Sequence, residues 1–161
     1  MIGPRLVLYD EDQQRLTETC GRLAREANAG MVFVIDRSGQ LISQTGEVGG
    51  FDTTAMASLA AGDIAATGGL AHLLGEKEFP HLFHEGEKHS IHLSLLGRSW
   101  ILVVIFDERS SLGLVRLRVR KFGEELSRMA DEIVARAPDE RTVSPFADIT
   151  DDDIDNLFAD F

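Results

Sequence analysis

Hydrophobic positions recur along the chain with two periods, about 3.6 residues in some stretches and 2 in others, and the order of those stretches predicts the elements. After a short apolar start at Leu6 to Tyr9, Asp10 can cap a helix in which Leu16, Cys20, Leu23 and Ala27 recur at spacings of 4, 3 and 4. Asn28, Ala29 and Gly30 end it. The run MVFVID, the turn residues Asp36, Ser38 and Gly39, and then QLISQT read as a β-hairpin. GEVGG breaks the chain before a second helix, with Asp52 as its cap and Gly75 as its stop.

Beyond Phe79 and Pro80, HLFHEGEKHSIHLSLL reads as a strand, a turn around Glu85 to Lys88, and a strand in which Ile91, Leu93 and Leu95 alternate with Ser90, His92 and Ser94. Gly97 and Arg98 turn the chain into WILVVIFD, where Trp100 to Phe106 is apolar at every position. Such a strand is covered on both faces, which requires helices on both sides of an antiparallel sheet. Ser110 or Ser111 caps a long third helix in which Leu112, Val115, Val119, Phe122, Leu126, Met129 and Ile133 recur at alternating spacings of 3 and 4. Its other side carries Arg116, Arg118, Arg120, Glu124, Glu125 and Arg128, a charge alternation expected of a solvated face.

The second helix is the unusual one. On a wheel of 100° per residue, Met56, Leu59, Leu70 and Leu74 fall on one side, the expected core stripe. Ser58, Ala61, Gly62, Ala65, Gly68, Gly69 and His72 fall on the other. Each glycine inside a helix costs roughly 0.8 to 1 kcal/mol relative to alanine, so three of them need an offset. Close approach of another backbone supplies one, and a face kept flat for a partner is the expected reading; small residues for packing within the domain are the alternative. Asp63 projects toward Leu59 and Leu70, so either it meets a donor there or the helix is rotated from this assignment.

After Ala137, PDERTVSP has the composition of a linker, giving expected units at residues 1–137, 138–147 and 148–161. In the last unit Thr150 and Asp153 form a start resembling a capping box, and Ile154, Leu157, Phe158 and Phe161 share one helical face. So short a helix is marginal alone: it is a docking helix for a partner or for its own domain, or else a frayed solubility tail.

Composition adds limits. The 161 residues, 43% of them hydrophobic, suit one domain with a modest appendage. Eight acids against Arg141 leave −7 on the segment from Pro138 onward and −4 of the total −11 on the body. Neither part has the basic field needed for nucleic acid or anionic lipid. The apolar runs are too short to span a bilayer and the N-terminus lacks a secretory pattern, so a cytoplasmic protein with no membrane insertion is expected. Cys20 sits on an apolar stripe and reads as a buried small hydrophobe in a reducing compartment.

No catalytic constellation emerges. AGDIAATGGLAH lacks the lysine of a phosphate loop and keeps its glycines inside a helix; no GxSxG, HExxH or paired-cysteine pattern occurs. Of the histidines His81, His84, His89 and His92, the expected hairpin sets His84 opposite His89 and His81 opposite His92. Each sheet face then receives at most two, too few for a metal site. Hence no catalytic residue, metal or cofactor is assigned. Arg98 and Arg109 lie in expected loops, where an arginine acting on a partner's active site would have to be.

The element order, the central helix of small residues and the all-apolar last strand resemble the Roadblock (dynein light-chain type) domain. FVIDRSGQLIS, DTTAMASLAAGDIAATGGLAHLLGE, FHEGEK, VVIFDERSSLGLVRLRV and SPFADITDDDIDNLF carry the resemblance over nearly the whole chain, closest to bacterial members that regulate a Ras-like polarity GTPase of the MglA type. The resemblance implies an α+β sandwich: a five-stranded antiparallel sheet with two helices on one face, one on the other, and a C-terminal amphipathic helix. It implies a homodimer with central helices side by side and sheets joined edge to edge, two chains serving one GTPase. It also implies a GTPase-activating role in cell polarity and motility, at a cell pole, in which docking repositions the GTPase's own catalytic residues without an arginine finger. On this resemblance the platform or dimer role falls on Ala61, Ala65, Gly68, Gly69 and His72. The docking role of the C-terminal helix, modulating nucleotide exchange or affinity, falls on Ile154, Leu157 and Phe158. The alternative is an adaptor that binds a GTPase or cytoskeletal partner without changing hydrolysis.

Overall fold

The computed structural model describes residues 6–47 and 49–136, with Ala159 beyond them. Its elements run α1 (Asp10–Glu26), β1 (Met31–Asp36), β2 (Leu41–Gly46), α2 (Thr53–Leu73), β3 (His81–Glu85), β4 (Ser90–Leu96), β5 (Trp100–Phe106) and α3 (Leu112–Arg136). The strands form one sheet in the order β2-β1-β5-β4-β3, antiparallel throughout. The all-apolar β5 is therefore central, and all seven of its residues are buried. It stands as expected, because a strand without a polar side has nowhere else to go.

Side-chain alternation divides the core in two. Val32, Val34, Trp100, Leu102, Val104 and Phe106 point to one face, where α1 contributes Leu16, Cys20 and Leu23 and α3 contributes Val119, Phe122 and Leu126. Met31, Phe33, Ile35, Leu93, Ile101, Val103 and Ile105 point to the other, where they meet Ala57, Ala60, Ala61 and Ile64 of α2. Two helices on one face and one on the other is the expected sandwich.

Local chemistry sets the boundaries. Asp36 Oδ1 accepts from the Ser38 and Gln40 amides at 2.9 Å each, and Gly39 takes φ 92° where the β1–β2 turn passes against Ser58 of α2. Asp52 caps α2 by accepting from the Thr54 and Ala55 amides, and Gly75, at φ 76°, follows its end. Ser111 Oγ accepts from the Leu114 amide and opens α3. At α1 the expectation is off by one: Tyr9 is the cap residue, and Asp12 reaches back to accept from the Tyr9 amide at 3.2 Å. The reason is tertiary, since the buried Asp12 carboxylate is also clasped by Arg136 at the end of α3, at 2.8 and 3.2 Å.

The β3–β4 hairpin also differs from the expected register. Glu85 pairs with Ser90 and His84 with Ile91, so the turn takes Gly86 to His89 and every pair moves by two. His84 does not face His89, and His81 sits opposite Ser94. Because a shift of two preserves the sheet face, His81 and His92 remain diagonal neighbours, ring centroids 5.5 Å apart.

The outward face of the second helix as candidate functional site

The inward face of α2 is the one with small side chains. Ala57, Ala60, Ala61, Ile64, Thr67 and Ala71 are buried, whereas Leu59, Leu70, Leu73 and Leu74 are 73%, 58%, 81% and 73% exposed. The expected core stripe of Leu59, Leu70 and Leu74 is thus overturned; only Met56 of that set is partly buried against the sheet. Volume is the reason. The sheet presents Phe33, Met31, Ile35 and Leu93, and close packing against such a surface favours methyl groups on the helix that covers it. Asp63 registers the rotation: its carboxylate lies 2.5 Å from Nε2 of His84 on β3, the donor the sequence required.

Facing away from the sheet, Ala55, Leu59, Gly62, Ala66, Gly69, Leu70 and Leu73 are exposed and lie within about 60° of one line along the helix. The strip is about 30 Å long and carries no charge. Of the residues singled out from sequence, Gly69 lies on it, Ala65 and His72 are exposed on its flank, Gly68 is half-buried, and Ala61 is turned to the sheet. A Cβ built at Gly62, Gly68 or Gly69 meets nothing within 4 Å. Packing inside the domain therefore does not explain these glycines. Sequence reasoning missed Leu59, Leu70 and Leu73 as surface residues. The available signal was a helix apolar around its whole circumference, which needs an apolar neighbour on a second side.

The remaining candidates are dispersed. Arg109, between β5 and α3, donates from its own Nε to Asp107 Oδ1 at 3.0 Å, and that bond holds the Asp107 carboxyl below its ordinary range. The Arg98 carbonyl accepts from Arg37 Nε at 2.8 Å in the β4–β5 turn. Burial pushes the Cys20 thiol up to about 12, so it is an inert hydrophobe as read. Among the described residues, no three His, Cys, Asp or Glu side chains could hold a metal ion, and no helix is long and apolar enough to cross a membrane. Ile154, Leu157 and Phe158, with the proposed linker, lie outside the described residues.

Comparison with known proteins brings these features together. The chain is similar to Myxococcus xanthus MglB, with 50% identity, a TM-score of 0.74, and coverage of 80% of this chain and 96% of that one. It is similar to the gliding protein MglB of Thermus thermophilus, with 34% identity, a TM-score of 0.74, and coverage of 81% and 99%. A third structure, described as MglB with tetrameric arrangement, gives 33% identity, a TM-score of 0.75, and coverage of 82% and 99%. Profilin II of Acanthamoeba castellanii, at 11% identity and a TM-score of 0.52, shares the fold alone. No curated protein matches the chain. The model of the Roadblock/LC7 domain matches residues 15–106, more than half of the chain, and the chain belongs to the Roadblock/LC7 family.

Proposed function

We propose that this protein is a homodimeric regulator of a Ras-like small GTPase of the MglA type, a GTPase-activating protein with no active site of its own. The observation that carries the reading is the outward face of α2, an uncharged strip with exposed leucines around glycines whose side-chain space is empty. Likeness to two MglB proteins at 50% and 34% identity supports the choice of partner. In the dimer the α2 helices lie side by side and form a platform for one GTPase per two chains. Gly68, Gly69, Ala65 and His72 contribute to the platform or to the dimer contact, with Ala61 bracing the helix from beneath. α2 is held to its own sheet mostly by alanine methyls, each worth about 0.8 kcal/mol, so a second apolar surface adds much of its anchorage.

Activation then acts by population shift. The platform offers no charge to a transferring phosphate, so docking favours the GTPase conformation in which its own catalytic groups are in place. Moving a partner from 1:99 to 99:1 in that conformation requires about 5.5 kcal/mol of differential binding. The C-terminal segment, through Ile154, Leu157 and Phe158, modulates nucleotide exchange or affinity. The protein works in the cytoplasm in cell polarity and motility, at a cell pole.

Single-turnover GTP hydrolysis by an MglA-type GTPase, with and without this protein, at full length and truncated after Ala137, tests the reading. Acceleration by the truncated body assigns the activity to the α2 platform. The uncharged face also suits an adaptor, and binding by both forms without acceleration by either would select that reading.

A further inference from the structure

We propose that, in the free protein, the cleft between α3 and β4 receives the chain's own acidic C-terminal segment, residues 148–161. The cleft lies on the sheet face opposite α2 and has a volume of about 650 Å³. Val119 of α3 and Leu96 of β4 give it an apolar floor, the backbone of Leu95 borders it, and Arg116, Arg120 and Arg128 line it from α3. None of these three arginines forms an ion pair among the described residues, and Glu124 is the one acid beside them. His92, 1% exposed, also lines the cleft; neither ring nitrogen has a hydrogen-bond partner, nor has Ser94 Oγ. Buried polar groups without partners are an unmet demand, here at the wall of a cavity. Gly123 leaves the middle of the helical wall bare, since a Cβ there would meet nothing within 4 Å.

The segment that fits is on the same chain. Ile154, Leu157, Phe158 and Phe161 share one helical face, suited to the apolar floor, and Asp151, Asp152, Asp153, Asp155 and Asp160 supply the negative charge with which the arginines can pair. The outward face of α2 is apolar too, but it has no positive charge to offer these aspartates. Reach is sufficient: from Arg136 back along α3 to Gly123 is about 20 Å, whereas the residues between Arg136 and Asp148 span up to about 40 Å when extended. The docking site holds the segment of the same chain by salt-sensitive pairing around an apolar centre.

In isotope-labelled full-length protein without GTPase, the triple variant Ile154→Asp, Leu157→Asp and Phe158→Asp should shift the amide signals of Leu95, Gly123 and Ser127 and leave Gly62 and Gly69 in place. Arg116→Glu with Arg120→Glu should give the segment's amides the relaxation of a free chain, and adding Asp152→Arg with Asp153→Arg should reverse the effect. Gly123→Leu, whose Cβ meets nothing within 4 Å, puts a side chain into the cleft and should release the segment with all charges kept, which covers the case of a misfolded arginine variant. Shifts at Gly62 and Gly69 without any at Gly123 would put the segment on α2 and overturn the proposal. Segment amides unchanged by Gly123→Leu would overturn it as well. Because no GTPase is present, failure here is separate from failure of the platform reading.

Discussion

His84 on β3 and Asp63 on α2 meet through Nε2 and Oδ2 at 2.5 Å, the one ion pair between the sheet edge and the central helix among the described residues. The two side chains are 21 positions apart, and their meeting marks the rotation at which α2 lies on the sheet. With Asp63 turned toward β3, Leu59 and Leu70 face solvent and Ala60 and Ile64 face the core. Both side chains are partly exposed, so their coupling is expected to be small, about 0.2 to 1 kcal/mol. A double-mutant cycle on His84→Ala and Asp63→Ala by urea denaturation at pH 6 should return a value in that range that shrinks in high salt; a coupling of several kcal/mol would contradict this view.

Gly69→Arg should leave the unfolding midpoint within a degree or two of the parent domain's when measured under conditions where the parent is monomeric. The reason is the empty space around a Cβ at that position. The same substitution should abolish association through α2 and stimulation of GTP hydrolysis. Undiminished stimulation would remove Gly69 from the platform.

His92 gives the domain an acid sensitivity. Burial first, then the charge of His81, then that of Arg116 push its pKa from 6.5 down to about 4. Arg120 and Glu124 on α3 also line the space it faces. The folded chain therefore keeps His92 neutral where the unfolded chain would protonate it, so its contribution is fully present above pH 6.5 and is lost as pH falls toward 4. Between pH 7.5 and 5 the loss amounts to about 2 kcal/mol. Denaturant titrations of the parent and His92→Leu at both values should show a smaller pH dependence in the variant by about that amount.

Asp12 and Arg136 join the start of α1 to the end of α3 by two hydrogen bonds, with the Arg136 guanidinium 5.3 Å from the centre of the Tyr9 ring. Asp12 is buried, whereas Glu26, which joins the same helices through Lys121 at 2.8 Å, is much more open. Asp12→Ala should lower the melting temperature several times more than Glu26→Ala, because only the first removes a desolvated charge-assisted clasp. Differential scanning fluorimetry of the two variants decides it.

Arg109 is occupied by Asp107, which accepts from both its Nε and its backbone amide at 3.0 Å. Arg109→Ala should leave stimulation of GTP hydrolysis within about threefold of the parent. An arginine finger removed would instead cost on the order of 10³ or more, and single-turnover kinetics separates the two outcomes.

Much of the fold was legible in the chain because each signal was local. The stripe of Leu16, Cys20 and Leu23, the turn at Asp36 to Gly39, the Asp52 cap and the unbroken apolar run of Trp100 to Phe106 each specify an element through neighbours in sequence, and the last already implies a two-sided sheet. The resemblance to the Roadblock domain rested on the order of those elements together with particular segments such as FVIDRSGQLIS, and the family match over residues 15–106 bears it out. The tertiary structure alone decided the rotation of α2 and the register of His81 to His92. A helix apolar on all sides has no amphipathic phase to read, so the large sheet residues Phe33, Ile35 and Leu93 and the grip of His84 on Asp63 chose which face turned inward. For the hairpin, two registers that differ by two residues bury the same faces, and it is contacts of β3 beyond the hairpin, His84 with Asp63 of α2 and the Phe83 ring stacked on Phe106, that distinguish the one adopted.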